Sequence, residues 1–294
     1  MSADLLVAED VEVVFQGRRS LFGASRPRVK ALHGVSVRIC RGETVGIVGE
    51  SGSGKTTLGR ALLRLVDVTA GRIAYEDREI THISEADMRP LRRRMQLIFQ
   101  DPMASLNPRR AIRRSVLEPM IFHRVAKNEA DAERRAQAIF ERFSLPLACL
   151  DRYPHELSGG QRQRVGIARV ALLAPDLVVA DEIVSGLDVS TQAQALNLLK
   201  ALSRDLGLAV AFISHDLSVI RAVCDRVYVL HAGSLVEEGA CETVFASPKS
   251  DYTRALLDAI PLPRVDPGWL NRNSAVDGTE NGSARLRSSS SASV

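Results

Sequence analysis

The run Gly49-Glu50-Ser51-Gly52-Ser53-Gly54-Lys55-Thr56 follows the apolar stretch ETVGIV and precedes a helical pattern. This is GxxxxGK[ST] in the strand–loop–helix setting that the motif requires. Glycines let successive backbone N–H groups close around phosphates, and the helix N-terminus favours their negative charge. Here Lys55 would reach the β- and γ-phosphates of a nucleotide, and the Thr56 hydroxyl would ligate Mg²⁺. Composition alone produces the pattern in roughly one chain in a hundred of this length, so a bare Gly-rich turn is the weaker reading. A phosphate loop needs a second carboxylate site, and Leu177-Val178-Val179-Ala180-Asp181-Glu182 provides one. Asp181 would hold the metal through its coordination shell, and Glu182 would polarise a water toward the γ-phosphate. Two acids capping a strand in solvent are common. They are less expected after an apolar strand downstream of a phosphate loop.

Positioning these groups requires alternating elements. Apolar runs predict strands at 11–15, 34–39, 43–48, 95–99, 177–180, 208–213 and 227–230, and helical periodicity fills 54–65, 128–143, 160–173, 190–206 and 217–224. Strands apolar on both faces, alternating with helices, predict an α/β core with a parallel sheet. The stretch from about 101 to 170 has helices without a buried strand and reads as a helical insertion. The last thirty residues, ending NGSARLRSSSSASV, are polar and of low complexity, a composition that predicts disorder.

Composition narrows the function classes. The chain has 294 residues, 39 Lys and Arg against 35 Asp and Glu, and an ordinary hydrophobic share of 45%. A net charge of +4 and 4% aromatics do not suit a dedicated nucleic-acid binder with stacking platforms. Of the basic residues, 29 lie in the first 170 positions, so the front half suits an anion. The Arg clusters at 89–94 and 109–114 read either as solvated helix faces or as surfaces toward a membrane partner or anionic head groups. Four cysteines without CxxC spacing fit a reducing compartment. No window of about 18 uncharged apolar residues exists to span a membrane, and the acidic N-terminus does not read as a signal peptide.

Leu157-Ser158-Gly159-Gly160-Gln161 precedes a helical run and Asp181 by about twenty residues. At this point the chain resembles the ATP-binding subunits of ABC transporters, whose signature is LSGGQ in this order. The resemblance implies a P-loop NTPase (RecA-like) core with an antiparallel β edge and an inserted helical subdomain. In the family the signature, here Ser158, Gly159, Gly160 and Gln161, completes the ATP site of a facing subunit. Gln100 matches the glutamine loop that senses Mg²⁺ and the attacking water. Asp188, in Ser185-Gly186-Leu187-Asp188, matches the loop at the subunit contact, and His215 the switch histidine at the γ-phosphate. Phe15 matches the aromatic that stacks on adenine, although an aromatic in a strand is more often core. Thr57 completes the nucleotide-binding set. Two departures stand out: Ile183 replaces a common proline, which loosens the turn after Glu182, and Gly186 replaces a common Ala.

The resemblance covers residues 5–262, and phrases such as FQDPMASLNPR and VFASPKSDYTRALLDAIP point to the oligopeptide, dipeptide and nickel importer branch. It implies an ATP-binding domain over 5–250 and a C-terminal extension over 251–264, with 265–294 as the polar tail. The implied partners are membrane permease subunits, a second ATP-binding subunit (usually a sibling, with a homodimer left open) and, indirectly, an extracytoplasmic solute-binding protein. The implied place is the cytoplasmic face of the membrane, with ATP and Mg²⁺ as ligands. Only Cys241 follows the core strands, so no iron–sulfur cluster is expected, and no nucleic-acid partner. The alternatives are a soluble ABC-type ATPase of DNA repair or translation, and the ATPase of an exporter. The chain has no heptads, zinc cysteines or second phosphate loop to favour the soluble class. Whether the cargo is a peptide or nickel is not written in a subunit that never touches it.

Overall fold

A computed structural model describes residues 4–16, 28–186 and 188–259. The predicted tail, the last five residues of the extension and Leu187 lie outside the described residues. The described elements fall in one compact unit, residues 1–257, save the end of the last helix.

The core is a six-stranded sheet ordered β10-β9-β3-β8-β7-β6. Its strands are β3 (Thr44–Val48), β6 (Met95–Ile98), β7 (Leu177–Asp181), β8 (Ala209–Ile213), β9 (Arg226–His231) and β10 (Ser234–Ala240). All neighbours are parallel except β10, which runs antiparallel to β9. Every residue of β7 and β8 is buried, as expected for strands covered on both faces. A second, antiparallel sheet is ordered β2-β1-β4-β5, from β1 (Asp4–Gln16), β2 (Arg28–Cys40), β4 (Ala70–Tyr75) and β5 (Arg78–Glu79). One hydrophobic core joins the two sheets across α1 (Lys55–Leu62), with Leu6, Val35, Leu58, Leu62, Ile73 and Ile213 fully buried.

Between β6 and β7 the chain is helical: α3 (Ile112–Phe122), α4 (Glu129–Arg142) and α5 (Gly159–Ala171), with short 3₁₀ turns at 102–105, 147–151 and 154–156. Then come α6 (Val189–Leu206), α7 (Leu217–Val223), α8 (Cys241–Ala246) and α9 (Asp251–Asp258). The elements given no range by the periodicity reading are α2 (Glu85–Arg94), α3, α8, α9, β4, β5 and β10. β4 and β5 are short, with the first three residues of β4 and both of β5 exposed, and a tight turn through Glu76 and Asp77, both at positive φ, joins them. β10 carries two adjacent acids, Glu237 and Glu238, in an edge strand, and α2 carries six charges and an internal proline. None of these four, β4, β5, β10 and α2, offers a long apolar period.

Three arginines of the α2 cluster, Arg92, Arg93 and Arg94, turn to internal partners, while Arg89 is exposed. Arg92 donates to the carbonyls of Leu63 and Arg64 at 2.6 and 3.0 Å, and Arg93 donates to that of Leu173. Arg94 pairs with Glu76 and Asp176, and Tyr75 donates to the same Asp176 carboxylate at 2.7 Å. This knot fastens β6 to the antiparallel sheet, and the Arg94 hydrogen bonds hold the Glu76 carboxyl below its ordinary value. Arg113 is similarly tied to Glu133 and Asp151. No helix among the described residues is long and apolar enough to cross a membrane.

Candidate active site

Parallel strands place their carboxyl ends along one edge, where α/β sheets bind ligands. β3 leads there into the phosphate loop, β6 into Gln100, β7 into Asp181–Glu182 and β8 into His215. Register fixes their relative height, because Ile213 pairs with both Ile47 and Asp181.

The loop is built around its glycines. Gly49 sits at φ +146°, and a Cβ there would lie 2.1 Å from the Leu230 carbonyl oxygen and 2.7 Å from Ser53 Oγ. Gly49→Ala is therefore expected to destabilise the chain by about 2–5 kcal/mol, through a steric clash added to backbone strain. A thermal melt that matches the wild type would contradict this packing. Lys55, 5% exposed, donates through Nζ to the carbonyls of Gly49 and Glu50 at 2.8 and 2.7 Å, so its ammonium lies inside the loop. Burial depresses its pKa, while the nearby Glu182, Asp181 and Glu50 carboxylates oppose the shift. Ser53 is buried, and its Oγ has no hydrogen-bond partner. A buried orphan hydroxyl and a glycine with no room for a side chain both fit a loop shaped to receive phosphate oxygens.

At the end of β7, Asp181 Oδ1 accepts from Thr56 Oγ1 at 3.0 Å. This hydroxyl–carboxylate pair is the hard oxygen donor set that suits Mg²⁺. No cluster of three or more His, Cys, Asp or Glu that could hold a metal occurs among the described residues. The remaining ligands would then be water and substrate oxygens, the usual Mg²⁺ arrangement. Asp181 is 5% exposed, and burial raises its pKa against the opposing Thr56 hydrogen bond and the Arg60 charge. A raised carboxyl stabilises the fold below its unfolded value and loses that contribution as pH rises through the folded value. At neutral pH the Asp181 charge thus costs stability. Asp181→Asn keeps an acceptor for Thr56, so its ligand-free Tm at neutral pH is expected to exceed the wild type's, with the gap closing in acid. Mg²⁺-dependent nucleotide binding should weaken at the same time. Parallel melts and titrations check both effects, and a lower neutral Tm would contradict the sign.

Glu182 adopts φ +47°, a left-handed conformation that a non-glycine residue holds only when its surroundings impose it. Its N–H donates to Ile213 O at 3.0 Å, and its carbonyl accepts from Ser185 N at 3.1 Å. Its carboxylate lies between two groups: Gln100 Nε2 donates to Oε2 at 3.1 Å, and His215 Nδ1 stands 3.5 Å from Oε1. Ile183 does not leave this turn loose. It is 1% exposed, and Gln163 Nε2 from α5 donates to its carbonyl at 2.7 Å.

Lys55, Thr56, Asp181, Glu182, Gln100 and His215 therefore form one constellation. Ser158 opens α5 through a capping box, its Oγ accepting from Gln161 N and Gln161 Oε1 accepting from Ser158 N. This leaves Gly159 and Gly160 in the helix's first turn. Asp188 caps α6, accepting from Thr191 N at 2.9 Å and Thr191 Oγ1 at 2.7 Å. Thr57 lies in the first turn of α1. Phe15 is 44% exposed near the end of β1, so it is not core. Three residues near this edge are given no role by the sequence reading. Gln163 and Arg169 are polar residues on the packed side of α5, where Arg169 donates to the Ser105 carbonyl. Tyr252 lies on α9 with its hydroxyl against the phosphate loop.

The model of the ABC transporter family matches residues 32–185, from the second strand through the acids to Ser185. The chain belongs to the ABC transporter family. A Brucella ovis protein, provisionally named a peptide import ATP-binding protein, is 51% identical over 238 residues, 81% of this chain and 75% of that one. The oligopeptide transport ATP-binding protein OppF of Escherichia coli is 42% identical over 274 residues, 92% of this chain and 81% of that one. Among solved structures, the dimeric ATP-binding cassette MJ0796, in a post-hydrolysis state with ADP and Pi, superposes with a TM-score of 0.71 at 28% identity. That match covers 80% of this chain and 98% of the cassette. CbiO1 of Clostridium perfringens, part of the complex cbiONQ, gives a TM-score of 0.70 at 27% identity, over 83% and 91% of the two chains. As an ABC cassette, this chain binds ATP and is an ATPase.

Proposed function

We propose that this chain is the ATP-hydrolysing subunit of a peptide importer. It works at the cytoplasmic face of the membrane with separate permease subunits and a second ATP-binding subunit. The observation that carries the ATPase part is the Glu182 carboxylate, hydrogen-bonded by Gln100, beside His215 and one residue after the Thr56-bound Asp181. The names of the Brucella and Escherichia relatives support peptide as cargo.

In this reading the phosphate loop binds the triphosphate, and Lys55 places its charge on the β- and γ-phosphates. Thr56 and Asp181 would hold Mg²⁺, with Gln100 near the same shell; the ion supplies charge neutralisation to the phosphate oxygens. Glu182 takes the proton of the attacking water, Gln100 orients the carboxylate, and His215 stabilises charge at the γ-phosphate. Phe15 stacks on the adenine. The Ser158–Gln161 cap and Asp188 face the partner subunit, where a helix N-terminus meets the partner's nucleotide. The segment after Gln100, residues 101–110, receives the permease.

Deleting the gene and measuring uptake tests the cargo. Loss of labelled-peptide uptake with nickel uptake intact is expected. Loss of nickel uptake alone would replace peptide by metal.

A further inference from the structure

The phosphate loop is braced from two sides. On one side the turn between β9 and β10 meets it: Gly233 N donates to Ser53 O at 3.0 Å, and the Leu230 carbonyl blocks any side chain at Gly49. On the other side stands α9, which no motif of the ATPase core contains. Glu50 N donates to the Tyr252 hydroxyl at 3.1 Å. The Tyr252 ring stacks on His231, the last residue of β9, with centroids 4.1 Å apart and planes at 29°. Beneath α9 lies an apolar seat that includes Leu256, Phe245, Val229 and Val48, the residue immediately before Gly49. The approach to α9 is fastened as well, since the Glu237 carboxylate accepts from the N–H groups of Lys249 and Ser250 at 2.8 and 3.0 Å.

We infer that Tyr252 is a positioning residue for the phosphate loop, through which the C-terminal helix sets the affinity for nucleotide. The ring is anchored on His231 and its helix α9 on the apolar seat, which together hold the hydroxyl in place. A fixed acceptor on Glu50 N–H pins the loop at its second residue. The remaining N–H groups then meet phosphate without first losing conformational freedom. This rests on the reading of the loop as the ATP site.

Tyr252→Phe removes the hydroxyl and keeps the ring on His231. In calorimetric titrations of the full chain, ATP is expected to bind about three- to tenfold more weakly, the worth of one hydrogen bond. The Tm of the ligand-free protein should match the wild type, since the stack and the seat remain. Glu237→Ala releases the approach to α9 and should weaken ATP binding at least as much. Adding Tyr252→Phe to it should cost nothing more, because both act through one contact. Unchanged affinity in Tyr252→Phe overturns the proposal. So does a loss of affinity that appears only with a fall in ligand-free Tm, or full additivity of the two substitutions. A wild-type chain that binds no ATP would instead remove the phosphate-site reading beneath it.

Discussion

Glu182→Gln is expected to lower ATP turnover by about 10²–10⁴-fold while ATP binding survives. The substitution is nearly isosteric, so the left-handed turn and the hydrogen bonds from Glu182 N to Ile213 O and from Ser185 N to Glu182 O should persist. Gln100 can still donate to the remaining side-chain oxygen. What disappears is the only group of the constellation placed to accept a water proton. Asp181 is engaged with Thr56, and His215 is over half exposed beyond Glu182. Near-normal hydrolysis in this variant would mean that another group activates the water.

The second large effect belongs to Lys55. Lys55→Ala is expected to weaken ATP binding by about 3–4 kcal/mol, roughly 10²–10³-fold, because charge-assisted hydrogen bonds to phosphate are lost together. The loss also strips the Gly49 and Glu50 carbonyls of their buried donor and leaves the Asp181 and Glu182 charges without a nearby ammonium. Lys55→Arg should not rescue binding, since a planar fork does not fit a loop closed around a single ammonium. Calorimetric titration of both variants checks this. Retained affinity in either would place the phosphates away from Lys55.

Much of this site is legible in the sequence because its chemistry is local. A phosphate loop needs its glycines, lysine and threonine in one run, and each of Gln100, Asp181, Glu182 and His215 follows an apolar strand. Parallel β-strands place their carboxyl ends along one edge, so the phosphate loop and the Asp181–Glu182 pair are legible as motifs, whereas Gln100 and His215 are picked out by the family resemblance. Contacts between segments distant in the chain are less legible. Nothing near Gln163 announces that it holds the Ile183 carbonyl from α5, and this bond keeps the Glu182 turn in place where a proline is the common residue. The Arg cluster of α2 looks like a charged surface because its partners, Leu63, Glu76, Leu173 and Asp176, are brought to it only by the fold. The edge elements β4, β5 and β10 are half-polar, so their periodicity disappears into loop-like composition.

The most direct test of the account is a structure of the assembled transporter trapped with MgADP and vanadate. It is expected to show the apical vanadate oxygen within about 3 Å of the Glu182 carboxylate. The metal should be bound by Thr56 Oγ1 and by the Asp181 carboxylate or a water on it, with Lys55 Nζ on the phosphate side. An apical oxygen out of reach of Glu182, or a metal away from Thr56 and Asp181, would contradict it.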